Sequence, residues 1–128
     1  MAVPTVLLYN LDTDKGRQIK LLCLTMKLRA RSVSPAEYSL TLSDLLSGKT
    51  AEGQAAEKVF PEEMLVMAGL TPAQTDHFLQ GFRRKKIPPV ALKAVLTATN
   101  AGWDSFQLRD ELQREHEAMA AGKTAHSG

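Results

Sequence analysis

The sequence predicts an α/β fold in a single three-layer domain: a four-stranded, mostly parallel sheet of flavodoxin-like order 2-1-3-4 with helices on both faces. Two observations carry this. Short apolar runs such as Val6-Leu7-Leu8-Tyr9 and Met64-Leu65-Val66-Met67-Ala68 have the continuous hydrophobicity of strands buried on both faces. They alternate with helical patterns, which implies crossover connections and therefore parallel neighbours. An antiparallel ferredoxin-like sheet is the competing arrangement, disfavoured because strands one, three and four look buried on both sides.

The first strand ends at Asn10-Leu11-Asp12-Thr13-Asp14, where Asp12 or Thr13 can cap the following helix. That helix places Ile19, Leu22, Cys23 and Met26 on one face. Arg29 to Ser34 forms a second, more polar strand suited to a sheet edge, ended by Pro35. A helical turn around Thr41 to Ser47 stops at Gly48, and residues 48–60 read as a mobile connection.

The third strand closes at Gly69-Leu70, and Thr71-Pro72-Ala73-Gln74 supplies an N-cap, a proline at the first helical position and a capping-box glutamine. Phe78, Leu79 and Phe82 mark that helix's inner face, and Pro88-Pro89 ends it. Val90 to Leu96 is the fourth strand; the last helix begins near Asn100 or Asp104 and carries Leu108, Leu112 and Met119. The domain is expected to span residues 1–121, with 122–128 a disordered tail.

A chain of 128 residues with 44% hydrophobic and 23% charged side chains suits one globular core. The net charge of +2 is too small to argue for nucleic acid. One cysteine permits no internal disulfide, so the framework reads as cytoplasmic. The first ten residues hold neither a basic leader nor a membrane-length apolar run, so neither signal peptide nor membrane span is expected.

In parallel sheets ligands collect beyond the carboxyl ends of the strands. If all strands run one way, a common rim gathers Asn10, Asp12 and Thr13, then Pro35, Glu37 and Tyr38, then Gly69 and Thr71, then Thr97, Thr99 and Asn100. Asn10, Asp12, Thr13, Gly69, Thr71, Thr97, Thr99 and Asn100 are thus the candidate site for a small polar ligand, although helix capping demands the same residue types. Lys27, Arg29 and Arg83-Arg84-Lys85-Lys86 are expected on the opposite edge, where cations complement helix dipoles.

Lys93 is one charge inside an apolar strand: an edge guard against aggregation, or, if it points inward, a weak candidate for a catalytic base or nucleophile. Trp103 and Phe106 project away from the Leu108 side of a regular helix. Either the helix starts late and Trp103 folds back into the core, or the two form an interface for self-association or a protein partner.

Ser47-Gly48-Lys49-Thr50 lacks the earlier glycine and the preceding strand of a phosphate-binding loop. The third strand ends without the aspartate a phospho-acceptor domain needs, and His77, His116 and His126 have no partners at metal-ligand spacing. Cys23 reads as a buried, inert thiol. No metal or cofactor is expected.

Val6-Leu7-Leu8-Tyr9-Asn10, Pro61-Glu62-Glu63-Met64-Leu65-Val66-Met67 and Leu92-Lys93-Ala94-Val95-Leu96-Thr97, with Asn100 and Trp103, resemble a small bacterial family known only as a domain of unknown function. The likeness covers most of residues 5–117 and implies a prokaryotic source but no catalytic residues. The residues favour a non-catalytic binding or regulatory module; the rival is a small enzyme acting on a carboxylate or phosphate ester through Lys93 with Thr97, Thr99 or Asn100.

Overall fold

The computed structural model describes residues 3–51 and 58–126, without the side chains of 120–126. In chain order it contains β1 (Thr5–Tyr9), α1 (Asp14–Thr25), β2 (Arg29–Val33), a 3-10 turn (Pro35–Glu37), α2 (Leu42–Leu46), β3 (Met64–Ala68), α3 (Pro72–Arg84), β4 (Leu92–Val95), a second 3-10 turn (Asn100–Gly102) and α4 (Ser105–His126). The four strands form one sheet of order 2-1-3-4. It is mixed and mostly parallel: β1–β2 and β3–β4 are parallel, with Tyr9 opposite Val33 and Met67 opposite Val95.

The central pairing departs from expectation. β1 and β3 run antiparallel, with Thr5 opposite Ala68 and Tyr9 opposite Met64. Both strands are buried along their whole length, so their composition carries no mark of relative direction. Direction is set by the segment between β2 and β3. Of its described residues, Tyr38, Leu42, Leu45 and Phe60 join the core on one face of the sheet, and β3 begins at the end of the sheet where β2 stops.

The sheet separates two cores. Val6, Leu8, Leu65 and Met67 meet Ile19, Leu22 and Cys23 of α1 and Phe78 and Phe82 of α3 on one face. Leu7, Tyr9, Met64, Val66, Leu92 and Ala94 meet Tyr38, α2 and Leu108 of α4 on the other. This is the alternation expected when successive side chains point to opposite faces.

The units β1–α1–β2 and β3–α3–β4 repeat one local plan. Each first strand ends in a residue at positive φ, Asn10 (57°) or Gly69 (77°), followed by a leucine and a threonine N-cap, Thr13 or Thr71. Each helix stops two residues before a lysine at positive φ, Lys27 (60°) or Lys86 (55°). The next amide reaches back across the last turn, Leu28 N–H to the Cys23 carbonyl and Ile87 N–H to the Phe82 carbonyl, both at 2.8 Å. This is the bonding of a Schellman C-cap, in which glycine is the preferred residue.

The last helix starts at Ser105, later than Asn100, with the Asp104 carboxylate accepting from the Gln107 amide at 2.8 Å. Where the sequence predicts a tail from Gly122, α4 continues to His126; residues 127–128 lie outside the described residues. Of the expected mobile connection 48–60, residues 52–57 lie outside the description, while Ala51 and Phe60 on either side are buried.

Replacing Lys27 or Lys86 by glycine removes a Cβ from a left-handed position, and each variant is expected to gain about 0.5–1 kcal/mol in urea unfolding. Gly16→Ala is expected to lose about 3 kcal/mol or more in the same assay. Its Cβ would lie 1.6 Å from the Leu11 carbonyl oxygen, a backbone atom with little room to retreat.

Candidate functional site

The antiparallel centre divides the residues that a parallel sheet would have gathered. Asn10, Asp12 and Thr13 lie at one end of the sheet, with the carboxyl ends of β1 and β2; Gly69, Thr71, Thr97, Thr99 and Asn100 lie at the other, with the carboxyl ends of β3 and β4. The single rim is not formed. The basic residues divide as well: Lys27 and Arg29 fall at the second end, while Arg83 to Lys86 precede β4 at the Asn10 end.

At the Asn10 end a cleft of about 440 Å³ opens between Leu8, Asn10 and Asp12 on one side and Ser32, Ser34 and Tyr38 on the other, with Lys20 at its border. Asn10 is a knot. Its amide donates to the carbonyls of Phe60 (2.7 Å) and Glu62 (2.8 Å), and its Oδ1 accepts from the Tyr38 hydroxyl (3.2 Å). Tyr38 stacks on Phe60 at 4.5 Å between ring centroids. Both amide hydrogens of Asn10 are therefore used in tying the start of β3 to the end of β1. Thr13 is spent too, its hydroxyl accepting from the Gly16 amide.

Three ion pairs complete this end; in one, Lys15 donates to Glu63 (2.5 Å) and to the Pro89 carbonyl (3.2 Å). Arg109 grips Glu62 through two hydrogen bonds of 3.0 and 2.7 Å, which hold the Glu62 carboxyl below the usual glutamate range. Arg31 contacts the Leu45 carbonyl, donates to the Lys49 carbonyl and pairs with Glu37 at 2.7 Å. Burial opposes ionisation of Glu37, but the Ser34 amide and the Arg31 guanidinium outweigh it and lower its pKa. Elsewhere, burial pushes the Cys23 thiol up to about 12, leaving it protonated and unreactive. Tyr9, raised chiefly by burial, shares a 2.8 Å hydrogen bond with Ser105.

At the opposite end the polar residues serve mainly as caps. Thr71 and Gln74 form a reciprocal capping box. Thr97 and Asn100 do the same: the Thr97 amide donates to Asn100 Oδ1 (2.8 Å), and the Asn100 amide to Thr97 Oγ1 (3.1 Å). Asn100 Nδ2 then reaches back to the Val95 carbonyl at 3.1 Å. Thr99 stays exposed, and Gly69 supplies the positive φ of its turn.

Beside these caps, a groove of about 290 Å³ runs between β4 and α4. Lys93 to Val95, Thr97, Thr99 and Asn100 line one side, Trp103 and Leu108 the floor, and Glu111, Leu112 and Glu115 the other side. The Leu96 amide bonds to the Met67 carbonyl, so strand alternation turns the N–H and C=O of Lys93 and Val95 toward the free edge. Asn100 caps one of those four groups. Among the described residues the Lys93 N–H and C=O and the Val95 N–H have no backbone partner.

Lys93 is exposed on this edge strand and its Nζ donates to the Val90 carbonyl at 2.7 Å. It turns toward the start of β4, away from Thr97, Thr99 and Asn100, so no Lys–Thr–Asn cluster is assembled. Trp103 precedes α4 and packs, half-buried, against the second core; Phe106 does likewise, edge-on to Tyr38 at 5.7 Å. Phe106 thus shares the core with Leu108 rather than projecting away from it. Sequence reasoning missed Phe60, Arg31, Arg109, Glu111 and Glu115. The Asn10–Phe60 contact spans 50 positions and carries no local signal.

Fold and groove define the class: a mixed α/β sandwich of two repeated βαβ units with an open strand edge facing a helix. Residues 63–119 match the model of a family described as a domain of unknown function (DUF3783). The match begins at β3 and runs into α4, so it contains the whole β4–α4 groove but not β1, α1 or β2, a shorter span than the resemblance over residues 5–117 suggested. No curated protein and no solved structure matches the chain. Among the described residues, no helix is long and apolar enough to cross a membrane.

Glu37 and Glu62 have folded pKa values below the ordinary 4.5, so their stabilisation is complete above that value and is lost as pH falls through the folded values. Glu37→Gln is expected to cost about 2 kcal/mol at neutral pH. It should also flatten the loss of stability between about pH 5 and pH 3, measured by urea unfolding across that range. Asn10→Ala, which orphans two carbonyls and a tyrosine hydroxyl, is expected to cost about 2–3 kcal/mol by the same measurement.

Proposed function

We propose that this protein is a non-catalytic binding module whose site is the β4–α4 groove and whose ligand is an extended segment of another protein chain. The carrying observation is the edge left unpaired among the described residues: the Lys93 N–H and C=O and the Val95 N–H face outward beside an apolar floor of Trp103 and Leu108, with Leu112 on the opposite wall. Strand addition uses such an edge for affinity and side-chain pockets for selectivity. The Asn100 amide on the Val95 carbonyl limits the added strand to a short one. Glu111 and Glu115 on the helix wall favour a basic residue flanking the apolar one. The match over residues 63–119 supports this choice, because the stretch shared with other proteins holds every wall of the groove.

A second reading rests on the larger cleft at the Asn10 end. It lies at the carboxyl ends of a parallel pair, where small ligands bind in open sheets, and Asp12, Lys20, Ser32 and Ser34 border it as exposed polar groups. A small polar ligand held there would raise the unfolding temperature, and Lys20→Ala together with Ser32→Ala would abolish the rise.

The sole tryptophan stands in the groove and reports on the first reading. Titration with a synthetic hexapeptide of alternating valine and lysine is expected to shift Trp103 emission and the Lys93 and Val95 amide resonances. N-methylating the peptide amides that meet β4 should weaken binding about tenfold or more. Shifts indifferent to N-methylation, or none at millimolar peptide, would overturn the strand-addition reading.

A further inference from the structure

The opposite layer carries a different surface, independent of the groove. Leu21 and Leu24 of α1 are 62% and 71% exposed, although neighbouring Leu22 and Cys23 are buried. Beneath Leu21, between the antiparallel α1 and α3, lies a depression of about 200 Å³ lined by Gln18, Leu21, Leu22, Thr25, Lys85 and Ile87. Beside it the two helices approach closely, since a Cβ at Gly81 would come within 2.8 Å of the Leu22 side chain. The volume of the hollow is below the roughly 300–1,000 Å³ of small-molecule sites and suits an anchoring side chain.

Charge on this layer is one-sided. Residues 14–27 hold Lys15, Arg17, Lys20 and Lys27 against Asp14, and residues 72–86 hold Arg83, Arg84, Lys85 and Lys86 against Asp76. On the far side of the sheet α4 has the reverse balance, with Asp110, Glu111, Glu115 and Glu117 against Arg109 and Arg114 over residues 105–119. A net charge of +2 thus conceals a molecule with a basic layer and an acidic helix on opposite faces. His77 bonds to Arg84 at 3.2 Å, and at about 100° per residue both fall on the shoulder of α3 beside Gly81, so cations stand along the hollow on the α3 side.

We propose that the α1–α3 face docks an acidic amphipathic helix of a protein partner, a leucine of which enters the hollow beside Leu21 while its carboxylates meet Lys85 and Arg84. A helix laid into an apolar groove presents anchors one turn apart, and Leu21 and Leu24 are spaced to meet them. Charge complementarity selects the acidic partner. A phosphate backbone would leave the exposed leucines without an apolar counterpart, and a bilayer would meet their crest but leave the hollow unfilled.

The test is amide NMR of the full chain with a synthetic helical peptide bearing leucines at i and i+4 among glutamates. The expected result is resonance shifts confined to Gln18–Thr25 and His77–Ile87, about tenfold weaker binding for Leu21→Ser and for Lys85→Glu, and unchanged far-ultraviolet circular dichroism in both variants. Equal binding of the peptide with its leucines replaced by alanine would overturn the proposal. So would stronger binding to phosphatidylglycerol vesicles or duplex DNA, or shifts centred on α4 or absent.

Discussion

The antiparallel contact between β1 and β3 governs the rest of the molecule. Every residue of both strands is buried, and each faces two cores at once, so the pair can neither slip nor separate without exposing both. Its direction decides which polar turns share an end of the sheet. With β1 and β3 opposed, the two βαβ units are related as if by rotation about an axis through the sheet, which puts α1 and α3 side by side on one face and their strand-end turns at opposite ends.

That repetition explains why the polar residues at the strand ends make a poor common site. Each unit needs a positive-φ residue to leave its strand and a threonine to open its helix, and Asn10, Thr13, Gly69 and Thr71 meet those needs. Asn10 adds a long-range duty, since its amide bridges to the carbonyls that precede β3. Thr97 and Asn100 cap each other and the β4 edge. Hydrogen-bonding capacity that a sequence reader assigns to a ligand is thereby consumed by the backbone. Among the described residues no buried side-chain nitrogen or oxygen lacks a partner.

What remains available lies on surfaces where the fold stops pairing its own parts. β4 is four residues long, a sheet edge with Lys93 exposed, and α4 stands beside it without closing over it. An exposed lysine on a short edge strand discourages indiscriminate sheet growth. In the binding role proposed above, the Lys93 and Val95 amides, which have no backbone partner among the described residues, would form a narrow window for a chosen partner. The α1–α3 layer is similarly unfinished, its inner face packed and its outer crest carrying leucines among cations.

The sequence by itself determined the strands, the helix starts and the buried Cys23, because apolar periodicity, capping residues and proline act within a few positions of where they are written. The order 2-1-3-4 was legible only through the fold class that alternating strands and helices imply. Thr71-Pro72-Ala73-Gln74 is a capping box in any context that admits a helix. Only the tertiary structure decided the direction of β3, the two ends to which Asn10 and Thr97 belong, and the groove that joins Val95 to Glu115. Those depend on contacts between residues dozens of positions apart, such as Asn10 with Phe60 and Arg109 with Glu62, and a strand buried on both faces has the same composition whichever way it runs.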